Sequence, residues 1–543
     1  MQSHYTPAEL SQRYDGMDFV YSFVNGTEVN HFYRRDIIAN CWVHIEQEME
    51  RRYAAWRRPG GAADGDAKVL SCLPPYVEGA TLGALLSSVR GSVRAGARDH
   101  EVGELRYSIR SVERHLPWHR GRLVLVSPGH TPGWLDGARN FLAGACGGAG
   151  RRPGEHARLT TVHQDALLPH GARLTVNSHV IEKFLWRVRG LTPVHVYFND
   201  DYFVNRPAAV TDFVNEYGGT IIRTEGGVIS PRPVKITETH SWAEGVVYTS
   251  HFITQELDER AAEAVPASYF ARLQTMTAEL NTTLRALTAA QKAEIDRRAP
   301  SAEAALPLDF DMDRYLYWAY EFPPTPLAVN YSRNVTAPRY YVTHAPFTYC
   351  TNMFRFFAVR YADFFADVAR HRPRRSLFDL YMPFVYNAFA LSRPWMASPR
   401  FLAYVHEVQA AAGRVNVSAT ITMDNKDGCA PPTLLRGMQN NGCLFAKLTD
   451  NATRNAGVFA NIELRNPLFF NINGQFSDEV GATLRDFLDR KFPDPIFLDA
   501  ARPDLDDDAA ALRETYAALM RLPLVLVAAH EANVCGLLRS LQL

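Results

Sequence analysis

At 543 residues, 47% of them hydrophobic, the chain is long enough to bury a large core divided among several structural units. Lys+Arg and Asp+Glu both number 58, so no net charge points to nucleic acid, and 24 Tyr with 30 Phe exclude an intrinsically disordered chain. The opening MQSHYTPAEL lacks the basic flank and apolar run of a signal peptide. The most apolar late run, Leu522 to Ala529, is too short for a membrane span and reads as core.

In chain order, Met17 to Glu28 (MDFVYSFVNGTE) predicts a buried strand followed by a turn at Asn25-Gly26. Residues 44–97, rich in Arg and Ala and then in Gly, predict a helix and a loop. Gly103 to Trp118 predicts a helix with Leu105, Ile109, Val112 and Leu116 on one face, and Arg106 and Arg110 one turn apart on another. GRLVLVSPG predicts a second buried strand. Val176 to Leu191 predicts a helix capped by Asn177 or Ser178 and stopped at Gly190. PVHVYFNDD predicts the next strand, running into Asn199, Asp200 and Asp201.

This alternation argues for an α/β fold, a mixed, mainly parallel sheet flanked by helices. Ligands gather at the carboxyl ends of such strands, where Asn25-Gly26, Ser127-Pro128-Gly129 and Asn199-Asp200-Asp201 fall. Residues 14–254 are expected to form the first part of the α/β core, 255–320 a helical insertion, and 321–400 a further core segment. A β-rich insertion is expected over 401–464, a last core segment over 465–500, and a helical tail over 501–543.

The seven cysteines contain no CxxC pair, which weighs against a zinc site, and Cys429 with Cys443 is the expected disulfide. Asn-x-Ser/Thr triplets at Asn25, Asn281, Asn330, Asn334, Asn416 and Asn451 favour a secretory-pathway lumen. That placement expects a membrane anchor supplied by a segment outside this chain.

Four separated blocks resemble the Stealth family of hexose-1-phosphate transferases. The first is DFVYSFVNGTE. The second runs through RDHEVGELRYSIRSVERHLPW, LVLVSPGHTPGWL, VHQDALLP, TVNSHVIEKFLWRVRGL and VYFNDDYFV; the third comprises YVTHAPFTY and RRSLFDLYMPFVYNAFAL; the fourth is LFFNINGQFSDEVGATLRDFLDRKFPDPIFL. Phe184 and Trp186 stand where the family usually carries histidines, and Asn473-Gly474 where it carries Asn-Asp.

The resemblance implies a GT-A or Rossmann-like nucleotide-sugar fold. It also implies transfer of sugar-1-phosphate from a nucleotide-diphosphate sugar to a hydroxyl of a glycan or glycoprotein, releasing a nucleoside monophosphate. The expected donor is GDP-mannose, with UDP-GlcNAc close behind. Such chemistry calls for Mg2+ or Mn2+ on the diphosphate, held by Asp200 or Asp201, one of them directly. His344 is the expected proton-transfer residue, a phosphohistidine intermediate being the variant, and Arg375, with Asp379 one turn on, is expected on a phosphate oxygen.

Asn25, Gly26, Arg106, Arg110, Asn177, Ser178, Asn199 and His163 are expected to contact the substrate or nucleotide, with Asp165 beside His163. Each has a plainer reading: an acidic solvated loop for the aspartates, a structural histidine for His344, a tight turn for Asn25-Gly26, and solvated helix faces for the arginines. Two alternatives remain: a metal-dependent glycosyltransferase releasing a nucleoside diphosphate, and a non-catalytic glycan-binding protein.

Overall fold

A computed structural model describes residues 5–26, 31, 35, 101–129, 132–137, 139–140, 157–168, 175–235, 242–259, 339–351, 353–354, 361, 365, 375, 378–392, 428–474 and 477–500. The expectations for residues 44–97, for most of 255–320 and for 501–543 lie outside the described residues, as do four of the six glycosylation triplets.

Helix α1 (Pro7–Tyr14) is set by a capping box, with the Thr6 hydroxyl accepting from the Glu9 amide and the Glu9 carboxylate accepting from the Thr6 amide. Strand β1 (Asp18–Ser22) follows. Then come helix α2 (Glu104–His115), β2 (Leu123–Ser127) and β3 (Leu159–His163). The short helix α3 (Ser178–Glu182) leads to β4 (Val194–Asn199) and β5 (Tyr202–Val204), with Asp200-Asp201 as the turn between them.

Strand β6 (Gly219–Ile229), helix α4 (Trp242–Ile253), β7 (Arg339–Val342), β8 (Phe347–Cys350) and helix α5 (Met382–Ser392) come next. Strands β9 (Gly428–Arg436) and β10 (Cys443–Lys447), helix α6 (Ala452–Arg465), β11 (Phe469–Asn473) and helix α7 (Asp478–Lys491) complete the described elements.

Three sheets organise them. The central one has the order β3-β2-β1-β4-β8, its first four strands parallel and β8 antiparallel to β4. This is the mainly parallel α/β sheet expected from the alternation of elements. Its strands alternate side chains between two buried faces, as a parallel sheet covered on both sides requires. Phe19, Tyr21, Leu123, Leu125, Val196 and Phe198 face a cluster shared with Leu105, Ile109 and Val112 of α2. Val20, Val124, Val126 and Tyr197 face the opposite cluster with α4, α5 and residues of β6 and β7. Each fully buried side chain of this size stabilises the fold by roughly 1.5–3 kcal/mol.

The smaller sheets have the orders β7-β6-β9 and β10-β11-β5. Because β5 pairs antiparallel with β11, the segment read as the fourth block is tied directly to the turn after β4.

Three local expectations change. Residues 176–191 do not form one helix: α3 ends after Glu182 and a separate turn of 3-10 helix spans Leu185–Arg187. Burial of Phe184, Leu185 and Trp186 in one core cluster favours the break over continued helical spacing. Within the 401–464 segment, β9 and β10 are strands, but α6 occupies fourteen residues. Asn451 caps that helix, its side chain accepting from the Arg454 amide at 2.9 Å. Finally, Cys443 is a buried free thiol, so no Cys429–Cys443 bridge forms; Cys350 is the cysteine held in a disulfide.

Candidate active site

The parallel strands end together. Ser22 lies level with Asn199 and with Val126, and Ser127 with His163, so Asn25, Ser127, His163 and Asn199 share one edge of the sheet. Asn25 is half-buried and Gly26 buried just beyond β1. Ser22, Tyr197 and Asn199 are knitted together at this edge: the Ser22 and Tyr197 hydroxyls lie 2.8 Å apart, and the Tyr197 hydroxyl donates to Asn199 Oδ1 at 2.5 Å. Asp18 marks the opposite end of β1, where Arg122 grips its carboxylate at 2.6 and 2.9 Å, so it anchors the strand away from the site.

The turn Asp200-Asp201 carries a dense group of acids. Asp201 Oδ2 accepts a hydrogen bond from Asn471 Nδ2 of β11 at 2.9 Å, while its Oδ1 is buried without a hydrogen-bond partner. Burial, opposed by the Asn471 bond and the positive charge of Arg375, pushes the Asp201 carboxyl up to about 7. Asp200 is driven well above the usual carboxylate range by burial and then by the charges of Asp201, Glu104 and Glu101. Glu104, the first residue of α2, is pushed up to about 8 by its own burial. Four carboxyl groups therefore crowd one corner.

The cationic side of this corner is Arg375. Its Nη2 donates to Ser178 Oγ at 2.7 Å, and its charge acts on both Asp201 and Glu182. Burial pushes Glu182 up to about 7, against the neighbouring Lys183 and Arg375. Asn177 caps α3 through its Oδ1 and donates from Nδ2 to Asp379 Oδ2 at 2.8 Å. Asn177, Ser178, Arg375 and Asp379, taken from two distant blocks of sequence, thus form one hydrogen-bonded assembly.

His344 lies in the loop joining β7 to β8. Phe347, three residues on, is level with Tyr197, which brings this loop to the same end of the sheet as the Asp200-Asp201 turn. The His344 ring is half-buried, its Nδ1 has no hydrogen-bond partner, and burial holds its pKa below the ordinary imidazole value. Burial thus disfavours its charged form, which suits a proton acceptor.

Two expected contacts are placed elsewhere. Arg106 and Arg110 both clamp the buried Asp499 carboxylate, Arg110 at 3.1 Å, and Arg110 also donates to the Phe492 carbonyl at 3.2 Å. They fasten the segment after α7 onto α2 and are not presented to a phosphate. His163 ends β3, three strands from β4, roughly 14 Å away at the ~4.8 Å strand spacing, and so stands apart from the carboxylate corner. The Asp165 side chain lies outside the described residues.

Glu104, Glu182 and Asn471 were not singled out from sequence. Glu101 and Glu104, three residues apart at the start of an apolar-faced helix, were a visible acidic signal; Glu182 and Asn471 gain meaning only from their partners in space.

Among the described residues, no group of three His, Cys, Asp or Glu side chains could hold a metal ion by itself. The unpartnered Oδ1 of Asp201 beside Asp200 nevertheless fits a hard cation that takes one or two protein carboxylates and completes its shell with phosphate oxygens and water. Among the same residues no helix is long and apolar enough to cross a membrane.

A parallel α/β sheet with acids, an arginine and a histidine at its carboxyl edge defines a polar ligand-binding site of the α/β class. Residues 343–392, which include His344, Arg375 and Asp379, match conserved region 3 of the Stealth proteins. An exopolysaccharide phosphotransferase of Streptomyces coelicolor is 36% identical over 118 residues, 22% of this chain and 17% of that protein. The alpha/beta subunits of human N-acetylglucosamine-1-phosphotransferase are 30% identical over 155 residues, 28% of this chain and 11% of that protein. A capsular polysaccharide phosphotransferase of Neisseria meningitidis serogroup B is 31% identical over 122 residues, 22% of this chain and 28% of that protein. The chain is thus similar to Stealth phosphotransferases over these stretches, and residues 343–392 match their third conserved region. The matched stretches span well under a third of those relatives' own lengths.

Proposed function

We propose that this protein transfers sugar-1-phosphate from a nucleotide-diphosphate sugar to a hydroxyl of a glycan or glycoprotein. The acceptor oxygen bonds to the phosphorus next to the sugar, the anhydride bond to the nucleotide breaks, and a nucleoside monophosphate leaves. The observation that carries this reading is the carboxylate corner facing Arg375, with the matched third region supplying both Arg375 and His344. Phosphoryl transfer asks for positioning and charge neutralisation more than for covalent catalysis, and this arrangement offers both.

In this mechanism His344, whose charged form burial disfavours, takes the proton of the attacking hydroxyl. Arg375, held by Ser178, steadies a non-bridging phosphate oxygen. Asn177 and Asp379 fix the elements that present Arg375. Asn25 and Gly26 let the chain approach the nucleotide at the end of β1. Asp201, with Asp200 beside it, would hold Mg2+ or Mn2+, which when bound supplies neutralisation of the diphosphate charge.

GDP-mannose is the favoured donor and UDP-GlcNAc the next, a preference resting on motif spacing. A secretory-pathway lumen is supported by the disulfide at Cys350 and by the exposed glycosylation triplet at Asn451. A donor screen that measures released nucleotide tests class and donor together: monophosphate release supports the proposal, and diphosphate release identifies an ordinary glycosyltransferase.

A further inference from the structure

We propose that the aromatic patch beside His344 is the acceptor subsite and that a pyranose ring of the acceptor stacks there on Trp242; this rests on the transferase reading above. Trp242 opens α4 with 41% of its surface exposed, yet its ring is held from two sides. It stacks on Tyr341 of β7, centroids 5.7 Å apart at 23°, and meets Tyr381 edge-on at 6.3 Å. Tyr381 in turn packs over Gly245, where a Cβ would come within 2.6 Å of its ring. The start of α4 is further fixed by Glu244, which receives two hydrogen bonds from Arg232 and one from the Lys235 amide. A rigid indole is therefore displayed to water.

Scattered exposed apolar residues are ordinary and need no ligand. Here, however, two exposed rings flank one histidine. His344 lies 6.2 Å from the Trp242 ring and 4.9 Å from the ring of Phe445, itself 40% exposed. The facing strand is shaped to match. The register between β6 and β7 slips between Thr224 and Val228, an irregularity of the kind that re-aims side chains beside active sites. Within it, Gly227 lies against the Tyr341 ring, where a Cβ would come within 3.4 Å, and Glu225 is a half-buried carboxyl whose pKa burial alone raises.

Flat aromatic faces with a hydrogen-bonding group beside them suit a ligand that is apolar on one face and hydroxylated at its rim, which describes a pyranose. The hydroxyl to be phosphorylated must reach His344, so the sugar bearing it lies within one ring of these aromatics. The nucleotide is proposed at the end of β1, whereas Trp242 and Tyr341 belong to α4 and the β7-β6-β9 sheet. That separation favours a sugar over a base on Trp242.

Saturation-transfer NMR of the full chain with methyl pyranosides of mannose, glucose, galactose and N-acetylglucosamine, and separately with GMP and UMP, tests the assignment. At least one methyl pyranoside should bind through its ring C–H protons. Trp242→Ala should weaken it about tenfold or more, with Trp242→Tyr restoring most of the loss and mononucleotide affinity unchanged. Phe445→Ala, on an exposed strand position, provides a second variant with the same expected direction, and thermal melts check that both fold.

The proposal is overturned if no pyranoside binds, if folded Trp242→Ala binds it as well as the parent, or if that variant loses mononucleotide affinity instead. Trp242-dependent pyranoside binding without monophosphate release from any donor would overturn the transferase reading while leaving the subsite standing.

Discussion

Asp201 and Asp200 are adjacent in sequence but differently placed. Asp201 is tied to Asn471 through one oxygen and offers the other, whereas Asp200 is pressed by three neighbouring acids. This asymmetry is why we propose Asp201, rather than Asp200, as the aspartate that would meet a cation directly. Asp201→Asn should abolish stabilisation by Mg2+ or Mn2+ in a thermal-shift assay and lower kcat about 100-fold or more. Retention of the metal-dependent shift in that variant would show that the ligand is elsewhere. His344→Ala should lower kcat by about 10²–10⁴ while nucleotide binding, read by calorimetry, stays unchanged. Burst kinetics in the parent with donor alone would favour the phosphohistidine variant over direct transfer.

At the scale of elements, α2 is a helix with two buried jobs. Its apolar face covers the central sheet, and its arginines hold Asp499. Asp499→Ala would leave buried Arg110 with only the more distant Asp489 carboxylate, 3.8 Å away, a loss of about 3 kcal/mol expected in equilibrium denaturation. Much of this level was legible beforehand: the strands by their apolar runs, the apolar face of α2 by its spacing, and the Asn177 cap by its residue type. The role of Arg106 and Arg110 was not, because their partner lies 389 residues away from Arg110 in sequence. The same limit hid Asn471, whose value depends on β11 pairing with β5. Residues 176–191 misled because burial of Phe184 and Trp186 outweighed helical periodicity, and Asn451 marked a helix start where alternation suggested strands.

For the molecule as a whole, the site's acids set a pH dependence. Asp201 and Glu182 titrate near about 7 and Glu104 near about 8 in the folded chain. Unfolded, such groups titrate near about 4. The folded state therefore binds protons more tightly, so the stability these groups add is full below about pH 4 and is lost progressively as pH rises from there to about 7 to 8. Without added metal the thermal midpoint should fall across that window, and Mg2+ or Mn2+ should restore it increasingly with rising pH. A midpoint that rises through the window in metal-free buffer would contradict the raised values.

The central claim is transfer of a phosphorylated sugar, and phosphorus NMR of the reaction products reads it most directly. Full-length protein with GDP-mannose or UDP-GlcNAc, divalent metal and a glycan acceptor should yield a phosphodiester resonance together with GMP or UMP. GDP or UDP accompanied by a phosphorus-free glycan product would contradict the account.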